Sequence, residues 1–121
     1  MISTKKISQT LIEYAEPLIQ ELHKGYSQRD LESTLKLATV VWNASVMDQW
    51  HNTAKNITAV RQQFIGADPL MTGIVELLIA RKAQLFAGDI RAITNETVAI
   101  KNGEFVIRAE ARLGMDRKSM N

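Results

Sequence analysis

The spacing of apolar residues changes from a helical repeat to a strand repeat after Gly88, and this change limits the folds open to the chain. Residues 97–101 and 104–113 alternate between apolar and polar side chains, with Val106 as the exception, as half-buried strands do. Asn102 and Gly103 separate the two runs, and both residues tolerate the positive φ angles of a two-residue turn. The sequence therefore predicts a C-terminal β-hairpin.

A two-residue turn also fixes which residues face each other across the hairpin. Carried back along the strands, this register puts Glu96 opposite Ala109, on the apolar face. The conflict predicts a bulge or a strand break around residues 95–96, which returns Ile93 to the core side. The predicted cross-strand pairs are Lys101 with Glu104, Ile100 with Phe105, and Val98 with Ile107.

Before Gly88 the apolar positions recur at steps of three and four residues, which is typical of helices with one buried face. The first helix is predicted over residues 4–24. A kink or restart is expected near residues 14–16, because Pro17 lacks an amide donor and crowds the preceding turn. Gly25 is the predicted C-terminal stop.

The second helix is predicted to begin at Ser27, whose hydroxyl can accept from the amide of Asp30. A third helical stretch covers residues 50–64 and ends at Gly66. Asp48 lies where these two stretches meet. It leaves two alternatives open, since it either caps a separate third helix or lies inside one continuous helix.

Asp68 and Pro69 mark the start of a fourth helix, because an N-cap acceptor is followed by proline at the first helical position. Its predicted inward face consists of Met71, Ile74, Val75, Leu78 and Leu85. Its other faces also carry leucine and isoleucine, and a helix of that kind is central or contributes to an interface. The candidate interface residues are Leu70, Leu77, Ile79 and Val106.

The predicted fold class is α+β, mainly α, with three or four helices followed by a C-terminal β-hairpin packed on them in a single layer. The 121 residues suffice for a single domain over residues 1–121, and the polar residues 115–121 are expected to form a frayed tail. The chain has no cysteine, which excludes disulfides, Fe–S clusters and thiolate zinc sites.

The sequence lacks the motifs of catalysis, cofactor binding and membrane insertion. It contains no HExxH pattern, nucleophile elbow or phosphate-binding glycine loop. We therefore expect a protein that is not an enzyme and binds no metal or cofactor. The most apolar stretch, residues 73–80, is far shorter than the roughly 20 residues of a membrane span. A cytoplasmic protein without a membrane segment is expected.

Association is the function that these patterns favour. A hairpin alone is marginally stable, and residues 104–113 contain neither proline nor lysine to protect a strand edge. We predict a non-catalytic interaction or regulatory protein that forms a homodimer or binds another protein. In a homodimer, either two hairpins join into a four-stranded sheet or the fourth helix packs against its symmetry mate. The alternative is a monomer whose hairpin covers its own helices.

Two other functions stay open. The first is a nucleic-acid-associated accessory protein of antitoxin type, in which basic side chains on and beyond the hairpin contact the nucleic acid. Those residues are Arg108, Arg112, Arg117 and Lys118. Ion pairing with Glu104 and Glu110 on the same face explains the pattern equally well. The second is a small-ligand binder with a pocket near Trp42, Asn43 and Trp50.

Three short patterns resemble a group of small, uncharacterised bacterial proteins. The patterns are Ala15-Glu16-Pro17-Leu18, Val41-Trp42-Asn43, and Arg81-Lys82 followed by Leu85-Phe86. The resemblance implies a helical body with a short C-terminal strand region, and it implies no activity.

Overall fold

A computed structural model describes residues 6–22, 25–64, 66 and 68–113. Within these ranges the chain forms four helices followed by a two-stranded antiparallel hairpin. The elements are α1 (Ile7–Gln20), α2 (Gln28–His51), α3 (Lys55–Gln63), α4 (Pro69–Leu85), β1 (Arg91–Lys101) and β2 (Glu104–Leu113). This order confirms the predicted α+β, mainly α, class. The predicted tail at residues 115–121 lies outside the described residues.

Helix α2 is the centre of the fold, because α1, α3, α4 and β1 all pack against it. Its Trp42 is fully buried and meets Tyr14 of α1 edge-on, at 5.1 Å between ring centroids. Phe86, just beyond α4, meets both rings edge-on at 5.7 Å. Aromatic edge-to-face contacts of this kind add to the stabilisation from burial. The three rings join α1, α2 and the end of α4 in one core.

Helix α1 is shorter than predicted and continues through Pro17. It ends at Gln20 rather than near residue 24, and Gly25 lies in the connection to α2 with φ of +81°. No restart occurs at residues 14–16, since the helix is unbroken from Ile7 to Gln20. Arg81 of α4 donates to the carbonyl oxygens of Glu13 and Tyr14, at 2.8 and 3.0 Å, next to the amide donor that Pro17 lacks.

The predicted start of α2 is confirmed by a reciprocal cap. The hydroxyl of Ser27 accepts from the Asp30 amide, and the Asp30 carboxylate accepts from the Ser27 amide. At the other end α2 runs to His51, and Asn52 ends it in a left-handed conformation. Trp50 therefore belongs to α2 and not to the third helix.

Of the two alternatives that the sequence left open, Asp48 capping a separate third helix is confirmed, and one continuous helix is wrong because α2 ends at His51 and α3 begins at Lys55. Asp48 lies inside α2, yet its carboxylate accepts from the backbone amides of Asn56 and Ile57 at 2.9 and 3.0 Å. Those amides belong to the first turn of α3, where helix donors lack intrahelical partners. An α2 side chain thus caps α3, while Ala54 at the N-cap position of α3 provides no side-chain cap.

Helix α4 begins as predicted, with the carboxylate of Asp68 accepting from the Leu70 amide and proline at the first position. Val75 and Leu78 are buried as predicted, whereas Leu85 is 62% exposed. The prediction for Leu85 was wrong because α4 ends there, and Phe86 turns into the core in its place.

The hairpin register is confirmed from Lys101 opposite Glu104 back to Glu96 opposite Ala109. Asn102 and Gly103 both have positive φ, at +52° and +78°. The bulge falls between Ile93 and Asn95, and Ile93 is buried as predicted. Strand β1 continues through the bulge to Arg91 and does not break.

Glu96 stays on the core side of the hairpin. Its side chain is 15% exposed, and the ammonium of Lys36 in α2 lies 3.9 Å from its carboxylate. The bulge therefore returns Ile93 to the core but does not turn Glu96 outward. The ammonium of Lys36 balances the charge of the Glu96 carboxylate. Within the described ranges, none of the helices combines the length and the hydropathy needed to cross a bilayer.

Candidate interaction surfaces and a buried lysine

The side chains predicted to line a pocket hold the strand backbone instead. The indole N–H of Trp42 donates to the carbonyl of Arg91 at 2.7 Å, and that of Trp50 donates to the carbonyl of Ile90 at 2.9 Å. Buried indole N–H groups need such acceptors. The structure thus brings the three predicted residues together along α2, but their polar groups are bound to backbone atoms.

Asn43 binds both backbone groups of Ile93. Its amide nitrogen donates to the Ile93 carbonyl at 2.8 Å, and its amide oxygen accepts from the Ile93 amide at 2.7 Å. In an antiparallel strand the N–H and C=O of one residue point to the same edge, so these groups face away from β2. Gln28 donates to the carbonyl of Val98 at 2.7 Å along the same edge. Side chains of α2 therefore cover the outer edge of β1.

Strand β2 has the opposite environment. Of its nine residues whose burial is described, none is buried and six are exposed. The exposed ones are Glu104, Phe105, Arg108, Glu110, Ala111 and Arg112. Val106, one of the predicted interface residues, is half-buried. The hairpin thus has one edge held by α2 and one strand that faces outward.

The two described residues of the predicted nucleic-acid surface, Arg108 and Arg112, lie on that outward strand. They alternate with glutamates on the same face, because Glu104, Val106, Arg108, Glu110 and Arg112 follow one another at a period of two. Arg117 and Lys118 lie outside the described residues. The described strand therefore carries mixed charge rather than a basic stripe.

Helix α4 carries a row of exposed leucines. Leu70 is 72% exposed, Leu77 is 43% exposed and Leu85 is 62% exposed. Steps of seven and eight residues, about two turns each, place them along one helix face. Ile79, the fourth predicted interface residue, instead packs partly buried against the core. Sequence reasoning missed Leu85 as a surface residue because it assigned that position to the inward face.

Lys82 is almost completely buried, at 1% exposure, and the sequence reasoning missed it. Its ammonium donates to the side-chain oxygen of Gln49 at 3.1 Å and to the carbonyl of Phe86 at 2.8 Å. It also lies 4.7 Å from the ring centroid of Trp42. Lys82 follows Val75 and Leu78 at helical spacing, so the inward stripe of α4 was the available signal.

The surroundings of Lys82 and of nearby Asp89 shift the pKa of both side chains. Removal from water lowers the pKa of Lys82 to about 8, although the nearby carboxylate of Asp89 acts in the opposite direction. Burial of Asp89 itself would raise the pKa of its carboxyl, but hydrogen bonds from Arg91 hold that pKa below its usual range. The Arg91 guanidinium contacts the Asp89 carboxylate at 2.6 Å. Lys82, Asp89 and Arg91 therefore form a small charged network at the C-terminal end of α4.

A cavity of about 310 Å³ adjoins Lys82 between α2, α3 and α4. Both charged side chains in its wall already have protein partners: Asp48 binds α3 amides and Lys82 binds Gln49. The lining residues are Ser45, Asp48, Gln49, Ile57, Ile79, Lys82, Ala83 and Ala87. In the described part of the chain, no group of three histidine, cysteine, aspartate or glutamate side chains could hold a metal ion.

No protein-family model matches the chain, and neither the curated proteins nor the solved structures include a match to it.

Proposed function

We propose that this protein is a non-catalytic interaction protein that acts as a homodimer. The observation that carries the proposal is the asymmetry of the hairpin, in which α2 holds the β1 edge and no described side chain of β2 is buried. A strand with an unpaired edge is a template for pairing with another chain. A second copy offers an identical strand, and an antiparallel pair of identical strands is closed by a two-fold axis.

The exposed leucine face of α4 supports association independently. Leu70, Leu77 and Leu85 lie within about 22 Å along the helix axis, at roughly 1.5 Å per residue. Leu77 is near the midpoint, so an antiparallel copy of α4 would place Leu70 close to the partner's Leu85. This is the second candidate for the dimer surface, and exposed apolar groups of this kind often mark contact sites.

Nucleic-acid binding has less support, because Arg108 and Arg112 share their face with Glu104 and Glu110. A protein that binds nucleic acid usually presents a basic patch. Ligand binding at the predicted pocket also has less support. The polar groups of Trp42, Asn43 and Trp50 already form hydrogen bonds with backbone atoms at or beside β1.

Size-exclusion chromatography with light scattering tests the proposal. The monomer mass is 13.6 kDa, and we expect twice this value at micromolar concentration. Heparin chromatography in parallel tests the nucleic-acid alternative. A mass of one chain at every concentration, or retention on heparin that collapses when Arg108 and Arg112 become alanine, would overturn the proposed function.

A further inference from the structure

The hydrogen bonds from α2 to β1 show which backbone groups of β2 point away from β1. Val98 pairs with Ile107, and Gln28 binds the carbonyl of Val98 on the side away from β2. The N–H and C=O of Ile107, directly opposite, therefore point away from β1. Because this orientation alternates along a strand, Phe105 and Ala109 also direct their backbone groups to the outer edge of β2.

The same orientation holds beyond the bulge. Ile93 pairs with Ala111, and Asn43 binds both backbone groups of Ile93. Ala111 therefore also directs its N–H and C=O outward. Among the described residues, no hydrogen bond from outside the hairpin reaches the backbone of Ala109 or Ala111, so this edge of β2 is open to a partner strand.

We propose that β2 pairs antiparallel with β2 of a second copy, with the two-fold axis at Ala109. This inference rests on the proposed homodimer and names its interface. Ala109 exchanges hydrogen bonds with the partner's Ala109, and Ile107 faces the partner's Ala111. The two hairpins form one four-stranded sheet in which both β1 strands lie outermost, each covered by its own α2.

Charge complementarity and the length of the overlap together select this register. With the axis at Ala109, Arg108 lies opposite the partner's Glu110, and the symmetry produces this pair twice. Opposite charges directly across a strand pair stabilise it, and like charges destabilise it. Both side chains are exposed.

Neighbouring registers are worse. An axis at Arg108 sets this arginine against its own copy, and an axis at Glu110 sets that carboxylate against its own copy. An axis at Ile107 puts Glu104 opposite the partner's Glu110. An axis at Ala111 pairs opposite charges but overlaps only residues 109–113, the last part of β2. The Ala109 axis overlaps residues 105–113 with no like charges opposed.

Charge reversal tests the register in the full chain. We expect Arg108→Glu and Glu110→Arg each to raise the dimer dissociation constant at least about tenfold, because each opposes like charges across the sheet. The double variant restores opposite charges and should return the constant to within about threefold of the original. Both positions are exposed, and circular dichroism checks that each variant folds. Equal loss in single and double variants would overturn the register.

Disulfide trapping provides an independent test, since the chain has no cysteine of its own. Directly opposed residues at a non-hydrogen-bonded position have Cα atoms about 4.5 Å apart, which permits a disulfide. We expect mixed Arg108→Cys and Glu110→Cys proteins to crosslink to each other, and a mixture of Arg108→Cys and Arg112→Cys to do so at least about tenfold less.

The variant Leu77→Cys reports on the alternative α4 surface. A dimer that crosslinks through Leu77→Cys and not between positions 108 and 110 overturns the β2 interface but leaves the proposed homodimer standing. A monomer mass in light scattering overturns both. A dimer with the 108–110 crosslink supports both.

Discussion

The guanidinium of Arg81 bonds the backbone carbonyl that Pro17 leaves without its amide donor. In a regular helix the carbonyl of Glu13 would accept from residue 17, which in this chain has no N–H. Arg81 donates to that oxygen at 2.8 Å, and to the Tyr14 carbonyl at 3.0 Å. A side chain of α4 thus keeps α1 continuous and fastens the two helices together.

The first prediction concerns the hydrogen bond from Arg81 that replaces the one Pro17 cannot donate to the Glu13 carbonyl. We expect Arg81→Ala to lower the free energy of unfolding by about 1.5–3 kcal/mol, the usual worth of hydrogen bonds from a charged donor. In the Pro17→Ala background, alanine supplies the missing amide, so removal of Arg81 should cost distinctly less. Urea denaturation of the four proteins in this cycle measures the coupling. An equal cost in both backgrounds would show that Arg81 acts independently of Pro17.

The second prediction concerns Asn43, which holds β1 at the bulge. Asn43→Ala leaves the amide and carbonyl of Ile93 without side-chain partners. We expect it to lower the free energy of unfolding by about 2–4 kcal/mol. The matched control is Gln62→Ala, which removes an amide side chain at an exposed helical position and should lower the free energy of unfolding less. Denaturation gives the free energies, and hydrogen exchange should show faster exchange at the Ile93 amide. Protection of that amide at the original level in Asn43→Ala would contradict the assigned role.

The third prediction uses a buried hydroxyl. Thr39 is 8% exposed, and its hydroxyl has no hydrogen-bond partner among the described residues. Valine has nearly the same shape without the desolvated oxygen, so Thr39→Val should be neutral or stabilising by up to about 1.5 kcal/mol. Thr39→Ser keeps the hydroxyl, loses a buried methyl group and should destabilise by about 1 kcal/mol. A higher midpoint temperature of thermal unfolding for Thr39→Ser than for Thr39→Val would contradict this prediction.

The fourth prediction is a rise in stability at alkaline pH. The pKa of Lys82 is about 8 in the folded protein and 10.5 in its ordinary state, so the unfolded chain binds more protons between these values. Stability therefore increases with pH in this window, by about 1.4 kcal/mol for each pH unit at most. Above pH 10 the effect reverses, because burial raises the pKa of Tyr14 and the unfolded chain then loses the tyrosine proton first.

Substitution of the lysine isolates its contribution. Lys82→Met should abolish the rise between pH 8 and 10, whereas Lys55→Met, at an exposed position, should retain it. Urea denaturation at half-unit steps of pH supplies the slopes. A slope that persists unchanged in Lys82→Met would assign the effect to another group.

The sequence predicted those features whose causes lie within a few residues. The turn at Asn102 and Gly103 fixed the hairpin register, and the conflict at Glu96 located the bulge to within about two residues. The caps of α2 and α4 followed from Ser27 and Asp68, because a cap joins residues two or three apart. Such contacts form between residues close in sequence, so they depend little on how the helices pack.

Contacts between distant elements could not be predicted in the same way. Arg81 and Glu13 are 68 residues apart, and Asn43 and Ile93 are 50 apart. A polar residue next to a buried stripe has many alternative partners, and only the packing of helices selects one. Lys82 shows the same limit, because its charge argues for the surface while its position on α4 places it in the core.

The sequence by itself determined that the hairpin exists, how its strands align and how charge alternates along β2. Only the tertiary structure decided which edge of the sheet is covered. That choice follows from the placement of α2, whose amide and indole side chains bind the backbone at and beside β1 and leave β2 to face outward. Strand alignment depends on neighbouring residues, whereas coverage of an edge depends on helix side chains forty or more residues away in the chain.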